Sequence, residues 1–329
     1  MNNEPVLTVR NLTTRFRTDR GVVTAVDDVS FDLFPGESLG VVGESGCGKT
    51  VTSKSIMRLL PEDVALFGED SEIRYAGKNL LKSSANHMRF VRGNEIAMIF
   101  QEPMTALNPV FTVGWQLDEA LKYHTSLGRS GRRQRAIEML QMVEMPNPER
   151  RLNEYPHQLS GGMRQRVMIA IALCCEPRIL IADEPTTALD VTIQAQILRL
   201  MSDLQTKTGT AVLLVTHDLG VVAQTCDRVM VMYAGRVVES ATVEDIFRRP
   251  QHPYTKALLA SIPQPGKKLE SGRLPAIEGV VPSLFNLPAG CRFHDRCGYC
   301  EQKCIDEEPG LSTTDDRVVR CHFPLTEDV

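Results

Sequence analysis

Long apolar runs are missing from this sequence. The longest, residues 167–175, falls well short of the roughly 18 to 20 apolar residues that cross a bilayer, so any work at a membrane is expected to go through another chain. A basic excess is missing too. The 37 Lys and Arg stand against 41 Asp and Glu, for a net charge of −4, which argues against a nucleic-acid binder. The N-terminal stretch MNNEPVLTVRNL has no basic segment leading into an apolar one, so no export signal is expected. Aromatic residues make up only 5%, with one tryptophan, yet hydrophobic residues reach 42% of the 329. That is enough for a sizeable core and fits two domains. No internal repeat is visible.

Cysteines are distributed unevenly. Cys47, Cys174, Cys175 and Cys226 are scattered, whereas Cys291, Cys297, Cys300, Cys304 and Cys321 crowd the C-terminal end. In a chain without an export signal the expected compartment is reducing, where clustered thiols bind metal more often than they form disulfides.

Residues 6–16 and 22–39 alternate apolar and polar side chains, as half-buried strands do, with Gly21 as a hairpin turn between them. Residues 38–42, 96–100, 179–182 and 211–215 read as short buried strands. Helical patterns cover residues 51–60, 115–145, 160–175 and 192–205, and Ala234-Gly235 marks a second hairpin. Strands alternating with helices predict an α/β fold with a mostly parallel sheet. Residues 252–259 read as a short helix, followed by a linker at Pro263, Pro265 and Gly266. Beyond it lies a small Cys- and Pro-rich tail that needs a staple because it is too short for a core of its own.

Three motifs carry the chemistry. Residues 43–50, GESGCGKT, match the phosphate-binding loop pattern without a mismatch. Gly43, Ser45, Gly46, Cys47 and Gly48 supply backbone N–H groups to phosphates, Lys49 neutralises them, and the Thr50 hydroxyl is offered to Mg²⁺. Residues 179–184 form an apolar strand ending in Asp183, a Mg²⁺ holder, and Glu184, the general base. Leu159-Ser160-Gly161-Gly162 opens a helix whose positive end suits the γ-phosphate. Together these are parts of an ATPase in which Ser160, Gly161 and Gly162 act in trans, so that hydrolysis depends on closure of a dimer. His217 is placed to sense the γ-phosphate, Gln101 to reach the metal, and Asp190 to touch the partner subunit. Phe16 is either an adenine platform or a core aromatic.

These motifs, over about residues 6–250, resemble the ATP-binding cassette (ABC) transporter ATPases. A narrower resemblance rests on residues 102–109, on DEPTTALDV at 183–191, on His252-Pro253-Tyr254-Thr255 and on the C-terminal cysteines. It covers essentially the whole chain and is to the oligopeptide/dipeptide importer ATPases. The resemblance implies a cassette with an antiparallel β subdomain and a helical subdomain at about residues 102–160, together spanning residues 1–255, and a C-terminal domain over residues 256–329. It implies a peripheral protein on the cytoplasmic face of the bacterial inner membrane. Its partners would be a second, related ATPase in a heterodimer, two permeases and an extracytoplasmic solute-binding protein, with no nucleic acid. The cofactors would be ATP and Mg²⁺. The solute would be a short peptide, although relatives import nickel, glutathione or other small solutes. Residues 102–114 and Tyr155-Pro156-His157 would flank the permease groove.

The same resemblance implies a [4Fe–4S] cluster on Cys291, Cys297, Cys304 and Cys321. Ligand count suits zinc equally. Cys300 leaves the ligand set open by one residue, and His294 and His322 leave a mixed zinc site open. A soluble ABC ATPase acting on DNA or ribosomes is the rival function. The stretch between Thr50 and Ser160 lacks the heptads of the DNA-repair type, and one cassette is present where the ribosomal type has two.

Overall fold

The alternating segments at the N-terminal end become strands β1 (Leu7–Thr18) and β2 (Gly21–Leu33) in the computed structural model, which describes residues 4–101, 106–186, 191–262, 277–314 and 317–326. The other strands among the described residues are β3 (Ser38–Val42), β4 (Ala65–Phe67), β5 (Glu72–Tyr75), β6 (Lys78–Asn79), β7 (Ile96–Ile99), β8 (Ile179–Asp183), β9 (Ala211–Val215), β10 (Arg228–Tyr233), β11 (Arg236–Thr242), β12 (Ser312–Thr314) and β13 (Arg317–Val319). The chain forms two compact units. One comprises Leu7–Asp32, Ser38–Leu81 and Val215–Val329, and the other Met1–Val6, Leu33–Glu37 and Lys82–Leu214.

In the first unit β1 is the hub of an antiparallel sheet. It pairs with β4 from Phe16↔Ala65 and with β5 from Leu7↔Tyr75. Its residues Leu7 and Val9, then Leu12 and Thr14, are buried, a period-two pattern that shifts by one residue at Asn11, where φ is 48°. β3 is different: all five of its residues are buried, as expected of a strand covered on both faces. β10 runs parallel to β3 and antiparallel to β11. The turn between β10 and β11 is Ala234-Gly235, with φ of 43° and 88°, the paired positive values of a two-residue hairpin.

The tail takes part in this unit's core. β13 adds to β11 at Glu239↔Val319, and β12 adds to β13. Phe293 meets the rings of Tyr233 and Tyr254 at 5.2 and 5.3 Å, in one apolar cluster with Val42, Val231 and Leu259. The staple that the sequence asks of a metal is thus supplied, at least in part, by strand addition and an aromatic cluster.

Asp27 adds an ionic tie. It accepts from Arg236 at 2.9 Å and pairs with Arg292. Burial pushes its carboxyl up, but the two guanidinium groups outweigh that, so it sits below the usual carboxylate value. A lowered folded-state pKa stabilises above the unfolded value of about 3.9 and loses that contribution as pH falls through the folded value. Asp27→Asn is therefore expected to lower the urea midpoint at pH 7 and to converge on the parent as pH falls through the folded-state value, as midpoints measured from pH 7 downward will show.

In the second unit β7 runs parallel to β8, from Ile96↔Ile179 to Ile99↔Ala182, and β9 flanks β8 on its other side. The helical pattern at residues 115–145 is two helices, Val113–His124 and Arg129–Met142. Thr125 ends the first in extended geometry, and Gly128 opens the second. Gly114 lets the first approach Leu152 closely, since a Cβ there would lie 2.7 Å from the Leu152 carbonyl oxygen. The helix Val191–Thr208 buries Ile197, Leu200, Met201 and Leu204, the spacing of a single apolar stripe. Among the described residues no helix is long and apolar enough to cross a membrane.

Candidate nucleotide-binding site

In the first unit, β3 delivers the chain into residues 43–48, and the helix Lys49–Ile56 follows. Gly43 and Gly48 have φ of 152° and 104°. A Cβ on Gly43 would collide with the carbonyl of Met232 on β10, and one on Gly48 would lie 2.6 Å from the carbonyl oxygen of Ala25. Only glycine fits both, and the loop closes into a cradle at a helix N-terminus, where N–H groups and the helix dipole favour anions. Lys49 is 6% exposed, and its Nζ donates to the carbonyls of Gly43 at 2.7 Å and Glu44 at 3.1 Å. A buried ammonium is thereby held at the loop's centre. Ser45 and Gly46 lie at the exposed rim, and Thr50 is half-buried in the helix's first turn. Cys47 is buried under the loop, which pushes its thiol up. Phe16 is half-buried on β1. His217 is exposed just after β9 and beside Asp218, whose carboxylate caps the helix Leu219–Thr225.

In the second unit, Asp183 ends β8 and is 2% exposed. Glu184 turns out of the strand with φ of 47°, a costly conformation for a residue with a side chain. Its Oε2 accepts from the Gln101 amide at 3.0 Å, so the structure joins two of the expected catalytic residues, far apart in sequence, at the ends of adjacent strands. Ser160 caps the helix Gly161–Leu173 as expected, its Oγ accepting from the Met163 N–H at 3.4 Å. Ser160 and Gly161 are exposed, and a Cβ on Gly162 would lie 2.9 Å from the Ile193 side chain. Asp190 lies outside the described residues, as do residues 102–105 and the linker at Pro263, Pro265 and Gly266.

Gln165 escapes sequence reasoning. It is 2% exposed and donates to the Pro185 carbonyl, tying the Ser160 helix to the segment after Glu184. A polar residue on an otherwise apolar helix face was its only sequence signal. Gln165→Leu leaves that carbonyl buried and unmet, at a cost of about 1–3 kcal/mol, so the melting temperature is expected to fall. An unchanged melting temperature would show that the contact contributes nothing.

The helical part of this unit carries a cavity of about 620 Å³ lined by Thr112, Trp115, Arg129, Arg132, Arg133 and Asn153. Trp115 is 43% exposed and stacks on Phe111 at 3.8 Å. Nearby in sequence, the rings of Tyr155 and His157 stack at 5.5 Å.

In the tail, Cys291, Cys297, Cys304 and Cys321 line one small cavity with His252, His294 and His322. Burial, with the neighbouring thiols adding to it, pushes Cys291 and Cys321 up to about 11, so both are neutral at pH 7. Cys300 does not line that cavity; its thiol meets the Glu301 carbonyl at 3.6 Å and also interacts with Cys304. His294 and His322 are engaged by Asp295 and by the Glu307 carbonyl. Among the described residues no group of three or more His, Cys, Asp or Glu is set to hold a metal ion. The expected ligand set for a [4Fe–4S] cluster or zinc is thus not preformed among the described residues: the four thiols line the cavity without forming such a group.

A glycine cradle around a buried lysine, together with an acid-ended buried strand, defines a P-loop nucleotide-binding protein. Comparison narrows this. Residues 26–187 match the ABC transporter family, and residues 238–304 match the oligopeptide/dipeptide transporter C-terminal region. The chain is 56% identical to a probable peptide ABC transporter ATP-binding protein of Sinorhizobium fredii, over 93% of this chain and 91% of that one. It is 54% identical to a dipeptide transport ATP-binding protein of Bacillus subtilis, over 97% and 94%. A dimeric ATP-binding cassette solved in a post-hydrolysis state with ADP and Pi superposes with a TM-score of 0.64 at 29% identity, over 72% of this chain and 98% of that one. The chain belongs to the ABC transporter ATPases, on their oligopeptide/dipeptide branch.

Proposed function

We propose that the chain is the ATP-hydrolysing subunit of a peptide importer, working as one half of a nucleotide-sandwich dimer on the cytoplasmic face of the membrane. The observation that carries the reading is the Gln101–Glu184 contact at the end of β8. It gives a carboxylate a fixed position as general base, in a chain whose other unit carries a complete phosphate cradle. The peptide and dipeptide transport proteins among the relatives support a peptide as solute. In this reading Lys49 and the loop N–H groups hold the β- and γ-phosphates. Mg²⁺, when bound, screens phosphate charge, with Thr50, Gln101 and Asp183 as its holders. Glu184 takes a proton from the attacking water, and His217 orients that water. Phe16 supports adenine. Ser160, Gly161, Gly162 and Asp190 serve the opposing subunit, a second ATPase in a heterodimer. Residues 1–255 form the cassette and 256–329 the C-terminal domain, and the cavity beside Trp115 receives a permease segment.

The test is reconstitution with the permeases and the solute-binding protein. Di- and oligopeptides are expected to stimulate ATP turnover and enter vesicles. Stimulation by nickel or glutathione alone would move the solute to another class. A finer reading puts a cysteine-ligated iron–sulfur cluster in the tail. Four thiols around one cavity support it, and the lack of a preformed ligand group among the described residues weighs against it. Iron with acid-labile sulfide in anaerobically purified protein would establish the cluster, and a folded chain without them would remove it.

A further inference from the structure

Glu44 poses an electrostatic problem. It is the second residue of a loop built to bind phosphate, and a bare carboxylate there repels the ligand. The structure answers from the C-terminal segment of the same unit. Arg296 donates to both Glu44 oxygens, at 2.7 and 3.0 Å, in the bidentate geometry of a strong pair. The Arg296 side chain is 3% exposed. It is fixed from every side: its remaining N–H groups reach the carbonyls of Glu278 at 2.9 Å and Ile277 at 3.3 Å, it reaches the Tyr233 hydroxyl at 3.2 Å, and it lies near the faces of Tyr233 and Phe293. A second tie runs beside it. The Glu44 N–H donates to the hydroxyl of fully buried Tyr254 at 2.9 Å. Both the charge and the backbone of this loop residue are thus held by residues more than two hundred positions downstream.

We infer that Arg296 and Tyr254 are positioning residues of the nucleotide site: through Glu44 they neutralise and orient the phosphate loop, so that the C-terminal segment is a working part of ATP binding. The inference rests on the ATPase reading for its ligand, and it concerns binding more than the chemical step. Arg296 touches no phosphate. It removes a charge that phosphate would meet.

The test uses the assembled complex, with two readouts: the dissociation constant for a non-hydrolysable ATP analogue with Mg²⁺, and KM and kcat for ATP. Arg296→Gln is expected to weaken binding and raise KM about tenfold, with kcat within about twofold. Arg296→Lys, which keeps charge and loses the fork, should recover part of the loss. The decisive variant is Arg296→Gln with Glu44→Gln. With both charges gone the repulsion is gone, and KM should return to within about threefold of the parent. A role in holding the fold alone would leave the double variant as impaired as Arg296→Gln, and that result overturns the inference, as does an Arg296→Gln protein with unchanged affinity. If the parent complex binds the analogue with this pattern yet never turns over ATP, the positioning role stands and the ATPase reading falls.

Discussion

Glu184→Gln should reduce ATP turnover in the assembled complex by at least about 10²- to 10³-fold while leaving ATP bound. The physical reason is narrow. The amide keeps the size of the carboxylate and can still meet Gln101, so the 3.0 Å contact at the end of β8 can persist after an amide flip. What disappears is the basicity that accepts a proton from water as it attacks. Binding is unaffected because the phosphate cradle belongs to the other unit's loop, with its glycines and Lys49. The variant should therefore accumulate as a closed, ATP-loaded dimer and stall transport. Phosphate release and dimer fraction on size exclusion with Mg·ATP measure both halves of the statement. Turnover at the parent rate would remove Glu184 from the mechanism.

Lys49→Ala should act on the other term. Its ammonium is 6% exposed and is held by the loop carbonyls of Gly43 and Glu44, with the Cys47 sulfur at 3.9 Å. Such a group is already desolvated and pre-oriented, so a phosphate gains its charge without the reorganisation that an exposed lysine would need. Removing it forfeits a charge-assisted bond of about 3 kcal/mol, or on the order of 10² in ATP affinity. The fold should tolerate the change, because the cradle is closed by Gly43 against Met232 and Gly48 against Ala25. Calorimetric titration with the ATP analogue and a thermal melt separate the two. Unchanged affinity with an intact melt would contradict this account of the loop.

Much of the architecture was legible because it is local. Strand alternation in β1, the fully buried, mostly apolar β3 and β8, the Ser160 cap and the Ala234-Gly235 hairpin each follow from a few consecutive residues. Lys49 and the loop glycines were legible because a spacing rule encodes their backbone geometry. What escaped was long-range. Nothing near Glu44 in sequence announces Arg296 or Tyr254, and nothing near Gln165 announces Pro185. The helical pattern at residues 115–145 does not show the break at Thr125, because its charge density masks it. The tail was read as coreless because its apolar residues are few. Phe293 anchors it, since it joins a cluster with Tyr233 and Tyr254 from outside the tail, and Ile277, Val281 and Leu287 pack against the same cluster. The cysteines were given a shared metal by the family resemblance and by ligand count, and neither speaks to convergence: among the described residues no group is set to hold a metal ion.

The central claim is that phosphate is gripped by a loop from one polypeptide and a Ser160 helix from another. ATP turnover per mole of chain, measured on a strictly monomeric preparation and on the assembled complex under one set of conditions, tests it most directly. The account predicts turnover near background in the monomer and full activity on assembly, whereas equal rates in the two preparations would contradict it.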